Sequence, residues 1–485
     1  MKSSKRMLRI TSALIALATI IAACTTGDSA DVSDDVADAT TTTTAAPDNE
    51  PEPDAPEPQP ESDEPDEPDA PEPEPEPAPE PVVEEPRTAS FRGITEDTIH
   101  IGVGFWDTSV FGFGFFGDPD LVWSALIDAV NARGGVNGRN LEYTVAGFNP
   151  ASNEQMLGAC IALTEDAQVF AVLGGMRGDA NYCVSEQHET IHLGSQVSAE
   201  GEALERARAP IAGFFSAGNV RESSFIAELE AIGWFDGAQS IGVHYPGDAI
   251  ADRLADEVAQ AMRDLDLDLE LVLNIDDLVL DEDTLESQTD IMREQARSAD
   301  LDRIIIFGPA ATGLITYGEL DVDLAAVDSN NFTTAINAGI DPAHLDGTIA
   351  TTDRISLASD PIDAATQQCL DDAQAAISDV RFERPGPGVV NNADDPNYWP
   401  YTVLACRDLY LFVQAAAAAG VNPTNDSFRA GIESLSNTSL PQIPFVSFAP
   451  GKYNGGDTLR LVMFDADADE DGELIPLGDP VDLTP

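Results

Sequence analysis

The chain has 485 residues, with 87 Asp and Glu against 24 Lys and Arg and a formal net charge of −63. That length allows one large or two modest domains. Charge of this sign repels nucleic acid and anionic lipid, so neither is an expected partner, and it keeps a protein soluble without by itself implying a cationic ligand. The acids are unevenly spread. From Asp28 to Glu85 there are 22 of them and no Lys or Arg, and Lys452 is the single lysine beyond the first nine residues.

The chain opens on a targeting signal. Lys2, Lys5, Arg6 and Arg9 form a basic start, and an apolar stretch runs from Ile10 to Ala23. A transmembrane helix needs about 20 such residues, so this shorter run reads as the apolar region of a signal peptide over residues 1–23. It ends in Ile21-Ala22-Ala23-Cys24, which resembles the lipobox of bacterial lipoproteins, where the Cys takes a lipid and becomes the mature N-terminus. An ordinary secretory signal with a chance Cys is the alternative. Residues 24–92 lack hydrophobic periodicity: Thr40 to Thr44 is a Thr tract, and Pro47 to Pro86 is dominated by Pro, Glu and Asp. Low hydrophobicity and like-charge repulsion prevent a packed core, so a disordered acidic linker is expected. At ~3.1 Å per residue its Pro-Glu part reaches ~100 Å. A plain spacer or a tail recruiting a basic partner fits this composition.

The character changes near Ile94. Thr98 to Gly104 alternates and is rich in β-formers, predicting a strand; Val122, Ala125, Leu126, Ala129 and Val130 recur at helical spacing from Pro119 to Asn131. Gly134-Gly135-Val136-Asn137-Gly138 stops that helix. A strand from Leu141 to Ala146, a helix over 151–165, a strand from Val169 to Leu173, a helix over 179–189 and a strand from Thr190 to Gly194 follow. Further strands are expected at 210–215, 240–245, 269–275, 302–307 and 347–351, with helices between most of them. Short, wholly apolar strands alternating with helices argue for an α/β fold with parallel sheets covered on both faces, in two lobes. Beyond Pro361 the pattern is helical at 361–378, 400–419 and 426–435, and Leu459 to Phe464 with Leu474 to Leu477 reads as a hairpin. Four cysteines remain after Cys24: Cys160, Cys183, Cys369 and Cys406. An even number in an oxidising compartment suggests two disulfides; three pairings are open, of which Cys160–Cys183 with Cys369–Cys406 closes the shortest loops. Spacing for a zinc site is absent, and no metal or cofactor is expected.

Three stretches carry a resemblance: Ile99-His100-Ile101-Gly102-Val103; Ala129-Val130-Asn131-Ala132-Arg133-Gly134-Gly135-Val136-Asn137-Gly138-Arg139; and Val169-Phe170-Ala171-Val172-Leu173-Gly174-Gly175. Together they resemble the type I periplasmic binding proteins of the leucine/isoleucine/valine-binding family, substrate-binding components of branched-chain amino acid ABC transporters. The likeness continues through Ser240-Ile241-Gly242-Val243, the helix after Tyr401 and the terminal Phe445 to Leu477 stretch. It implies two Rossmann-like lobes joined by three hinge crossings, near residues 217, 352 and 440. Lobe 1 is then 96–217 plus 352–439, and lobe 2 is 218–351 plus 440–485. The resemblance also supports the Cys160–Cys183 pairing, while Cys369–Cys406 would staple two C-terminal helices.

Ligands of parallel α/β sheets sit at the C-terminal ends of the strands, beside helix N-termini that favour a carboxylate. Lobe 1 residues expected at the cleft are Trp106, Met176, Arg177, Gly178, Ser195, Gln196, Val197 and Ser198. Lobe 2 residues are Tyr245, Gly308 and Asp328. In relatives that bind amino acids, hydroxyls and backbone N–H groups after the third and fourth strands hold the α-carboxylate, and an acidic lobe 2 residue holds the α-ammonium. Ser195, Ser198 and Asp328 match in kind, whereas Met176-Arg177 departs from the small or hydroxyl residues many relatives have there. Arg177 is suited to a carboxylate; it also fits a solvated helix start near Asp179. Phe111, Phe113, Phe115 and Phe116 line a pocket or cover lobe 1. Asp467 to Gly472 mimics the start of a calcium loop, but the twelfth position is Gly478, so a hairpin turn is expected.

Nucleophile-elbow, P-loop and zinc-protease motifs are absent, and Gly102-Val103-Gly104 lacks the rest of a dinucleotide fingerprint. A non-enzymatic solute-binding component of an ABC importer is expected, monomeric, held through Cys24 on the outer face of the cytoplasmic membrane and working with a permease. A sensory receptor with the same lobes, signalling to a membrane partner, is the alternative.

Overall fold

The computed structural model describes residues 85–107, 117–149, 152–176, 178–195, 197, 199–214, 218–246, 249–275, 282–307, 310–327, 329, 332, 335–336, 339–384, 395–468 and 472–485. The signal peptide, Cys24 and the linker up to Glu84 lie outside them. Among the described residues, no helix is long and apolar enough to cross a membrane.

The first half alternates strand and helix: β1 (Thr98–Trp106), α1 (Pro119–Ala132), β2 (Asn140–Phe148), α2 (Asn153–Ile161), β3 (Ala171–Gly174), α3 (Asp179–Tyr182), β4 (Ile191–Gly194), α4 (Gly201–Arg206) and β5 (Ile211–Gly213). Helix α1 starts where Asp118 accepts from Asp120 N–H and Pro119 lacks an N–H to lose. It ends at Gly135, whose φ of 65° and contact with the Arg139 carbonyl leave no room for a Cβ. Helices α2 and α3 each run on into a π-helical turn, over 162–166 and 183–187. The five strands form one parallel sheet in the order β2-β1-β3-β4-β5.

The chain continues with α5 (Gly218–Ala231), β6 (Ile241–Pro246), α6 (Ala249–Asp264), β7 (Leu269–Ile275), α7 (Glu282–Ser298), β8 (Arg303–Ile306), α8 (Ala310–Tyr317), β9 (Asp323–Ala326) and β10 (Ile349–Thr352). Then come α9 (Ala364–Ala376), α10 (Tyr398–Ala418), α11 (Asn425–Glu433), the hairpin β11 (Thr438–Leu440) and β12 (Ile443–Val446), and β13 (Thr458–Asp465), β14 (Glu473–Pro476) and β15 (Val481–Asp482). The second large sheet has the order β14-β13-β10-β9-β8-β6-β7, with β15 also on β13. It is parallel from β7 to β10 and antiparallel beyond, and the expected terminal hairpin pairs Phe464 with Leu474.

Several features differ from the sequence reading, the β11–β12 hairpin and β15 among them. Strand β9 was not foreseen: Asp-Leu-Ala-Ala is short and its alanines carry little β-propensity. Leu440, Ile443, Val446, Phe448 and Tyr453, expected in lobe 2, are buried in the core of the first sheet. Their apolar side chains cover α10 and α11, and the chain joins the second sheet only at β13.

That first core also takes Cys369, Ala373, Cys406, Leu409 and Phe412 from α9 and α10. The cysteines pair locally, Cys160 with Cys183 and Cys369 with Cys406. The first bond ties α2 to the turn after α3, and the second ties α9 to α10.

Candidate functional site

Strands β1, β3 and β4 end side by side, with Gly104 opposite Gly174 and Leu173 opposite Leu193. Trp106, the last residue of β1, is half-buried, and its Nε1 donates to the Gly175 carbonyl. The indole occupies the space a Cβ on Gly175 would need. Gly178 has φ 55° and opens α3.

Met176 and Val197 were expected to face a ligand, but their side chains are fully buried. Met176 packs with Phe148, Met156 and Leu163, and Gly104 makes room for it, since a Cβ there would stand 3.1 Å from Met176 Cγ. Val197 belongs to the first core. Tyr245, at the end of β6, is buried and stacks on Phe307 at 5.2 Å. Arg177, Gln196, Ser198, Gly308 and Asp328 lie outside the described residues, as do Phe111, Phe113, Phe115, Phe116 and the segment Asp469 to Asp471.

Ser195 is placed otherwise. Its backbone N–H donates to Asp408 Oδ1 at 3.0 Å, while its Oγ is buried without a hydrogen-bond partner among the described residues. Sequence reasoning missed Asp408. It projects from α10 under the glycine ends of β3 and β4: a Cβ on Gly194 would lie 3.0 Å from Asp408 Oδ1, and one on Gly174 3.7 Å from Oδ2. Both glycines have positive φ, 143° and 96°. Burial pushes the Asp408 carboxyl up to about 8, against the Ser195 N–H and the Arg407 charge, which pull it down. The available signal was Arg407-Asp408 itself, the only charged residues in the otherwise apolar and neutral α10.

Arg407 ties α10 to the segments running between the sheets. Its Nε donates to the Pro441 carbonyl at 2.7 Å and its Nη2 to Gln442 Oε1. Gln442 O accepts from Ile355 N–H at 2.8 Å, and Gln442 N–H donates to Asp363 Oδ2 at 3.0 Å. Arg460 Nη1 and Asp360 Oδ1 form a buried ion pair at 2.6 Å. The end of β5 joins the same bundle, Gly213 N–H donating to the Tyr453 carbonyl and Gly455 N–H to the Gly213 carbonyl.

No protein-family model and no curated protein matches the sequence. Solved structures do match. A periplasmic binding protein type 1 from Bordetella pertussis Tohama I has a TM-score of 0.57 at 16% identity, over 79% of this chain and 100% of that one. An ABC transporter substrate-binding protein from Desulfitobacterium hafniense, in complex with Leu, has 0.55 at 16%, over 79% and 100%. This chain has the type I periplasmic binding protein fold. A solute-binding protein from R. palustris in complex with 4-hydroxybenzoate, of an ABC transporter, has 0.56 at 13%, over 80% and 98%. The three neighbours are, respectively, a periplasmic, a substrate-binding and a solute-binding protein.

Proposed function

We propose that this chain is a lipid-anchored, extracytoplasmic solute-binding protein of an ABC importer, taking an amino acid or similar small polar solute between its two lobes. The observation that carries the reading is Ser195. A hydroxyl buried at the C-terminal end of a parallel strand, with no partner of its own, is a donor kept for something else. The solutes named for the D. hafniense and R. palustris proteins, Leu and 4-hydroxybenzoate, share a carboxylate, which a serine hydroxyl suits. Trp106, half-buried at the neighbouring strand end, adds an apolar wall. The three connections between the sheets, held by Arg407, Gln442 and the Asp360–Arg460 pair, support a hinge about which the lobes close. Cys24 supplies the anchor, the acidic linker the reach, and a permease the destination.

The test is calorimetry on the full chain against amino acids and aromatic acids, with mass spectrometry of solute carried through purification. Ser195→Ala removes no intramolecular hydrogen bond, so stability should stay within about 0.5 kcal/mol while solute affinity falls about tenfold, ~1.4 kcal/mol. Correctly folded protein that binds no small solute would sink the reading. Separately, Cys24→Ala should abolish lipid labelling.

A further inference from the structure

Three side chains of the first lobe converge near the starts of β3 and β4 rather than at their ends. Cys160 stands one residue before the end of α2, and Cys183 directly follows α3. The π turn over 183–187 sets His188 over Cys183: His188 N–H donates to the Cys183 carbonyl at 3.1 Å, the bond across five residues that defines such a turn. The two Sγ atoms and a ring nitrogen of His188 all lie within 4.8 Å of one another, which holds for no other group of three metal-ligating side chains among the described residues. Cys183 and His188 also line an open cavity of about 480 Å³, with Leu157, Ile161, Glu165 and Arg206. A disulfide that served only as a staple has no need of an imidazole at its flank or of an opening to solvent. π turns recur at functional sites, and both cysteine-bearing helices run into one. The ligands come from two helices, so no short zinc spacing in the sequence announces them.

We propose that, once the Cys160–Cys183 bond is reduced, Cys160, Cys183 and His188 bind a zinc ion at the wall of this cavity. The reductant is an external dithiol. One of its thiolates attacks the sulfur of Cys183, which lines the cavity, and Cys160 leaves as a thiolate. The second thiol then closes the dithiol's own disulfide and frees Cys183. The dithiol loses two electrons, the protein disulfide gains them, and the dithiol's two protons pass to the cysteines. Zinc displaces those protons when it binds. A tetrahedral ion with Zn–S of about 2.3 Å and Zn–N of about 2.0 Å asks for ligand atoms about 3.5–3.8 Å apart, a spacing the three side chains reach by small rotations. Two thiolates and an imidazole select zinc over calcium or magnesium. Glu165 Oε1 lies 3.7 Å from His188 Nε2 but outside the group of three, so water from the cavity takes the fourth position and Glu165 adds negative charge beside the ion.

The experiment reduces the folded full chain with dithiothreitol, removes the reagent without air, and titrates zinc against a chromophoric chelator. Alkylation with mass spectrometry should find Cys160 and Cys183 free and Cys369–Cys406 still paired, since the cavity does not reach that bond. The reduced chain is expected to bind one zinc with release of about two protons, and the oxidised chain none at that affinity. Cobalt(II) in place of zinc should give the thiolate charge-transfer band and the visible bands of a tetrahedral ion. His188→Ala should weaken zinc at least about tenfold and change the cobalt spectrum, and Glu165→Gln should weaken it less. The oxidised His188→Ala chain should unfold at the wild-type urea midpoint, since it loses only an ion pair to a largely exposed Glu165. Zinc binding that survives His188→Ala, zinc binding no tighter after reduction, or a Cys160–Cys183 bond that opens only when the chain unfolds overturns the proposal. A reduced chain that has lost its fold and that zinc does not restore overturns it as well.

Discussion

Asp408→Asn should stabilise the protein near neutral pH by an amount that grows with pH. In the unfolded chain this carboxyl ionises near its ordinary 3.8, while in the fold burial holds the proton until about 8. Between those values the folded state carries one more proton than the unfolded state, so stability falls as pH rises, by up to about 1.4 kcal/mol per pH unit. From pH 5 to pH 7 the loss is therefore about 3 kcal/mol. Asn keeps an oxygen for the Ser195 N–H and has no proton to lose. Two buried histidines act in the opposite sense: burial lowers His192 to about 3 and His244 to about 4 from an ordinary 6.5. They cost stability as pH falls from 6.5 towards those values, so a wild-type pH profile mixes the two trends. Subtracting the wild-type from the variant free energy at each pH cancels the histidines. Urea unfolding at pH 5, 6 and 7 measures the difference. If it stays constant within about 0.5 kcal/mol over those two units, Asp408 is ionised in the fold and the reasoning fails.

Three further outcomes are expected. Asp360→Ala leaves Arg460 buried and unpaired and should cost about 3–5 kcal/mol in urea unfolding, most of it recovered by adding Arg460→Met. Replacing Cys369 and Cys406 with Ala reopens a loop of 37 residues and should cost about 3.8 kcal/mol, against about 3.4 for Cys160 and Cys183 with their 23; calorimetry checks the order. Gly194→Ala meets the Gly174 N–H at 2.7 Å and Asp408 at 3.0 Å with φ at 143°, so it should both destabilise the fold and weaken solute binding; full affinity in that variant would remove the strand ends from the site.

Much of the fold was legible because its signals are local. The alternation of apolar strands with amphipathic helices placed β1 to β4 and α1 within two residues or so, and the Asp-Gly turn placed the β13–β14 hairpin. What failed was long-range. Nothing local in Leu440 to Tyr453 says which of two cores its apolar residues enter. The candidate site was legible as a place, the strand ends, rather than as side chains. Ser195 keeps its hydroxyl unpaired there, whereas Met176 packs inward where Gly104 leaves room and Val197 is buried in the first core. Asp408 escaped notice because an acid on a helix reads as solvated until its burial is known.

The way the chain enters the first lobe has a mechanical consequence. Arg87 donates to the Gly138 carbonyl, Thr88 N–H to Asn422 Oδ1, Asn422 Nδ2 to the Pro86 carbonyl, Ser90 Oγ to the Pro423 carbonyl and Arg139 Nη2 to the Thr88 carbonyl. Phe91 then packs edge-on against Phe170. All these partners belong to the first sheet's side of the molecule, at the turn that ends α1 and the loop that follows α10. Tension entering at Pro86 is therefore shared among several hydrogen bonds to the first sheet's side of the molecule before it reaches β1. A drag on the leading segment is thus met by the first lobe's own hydrogen bonds before it meets β1.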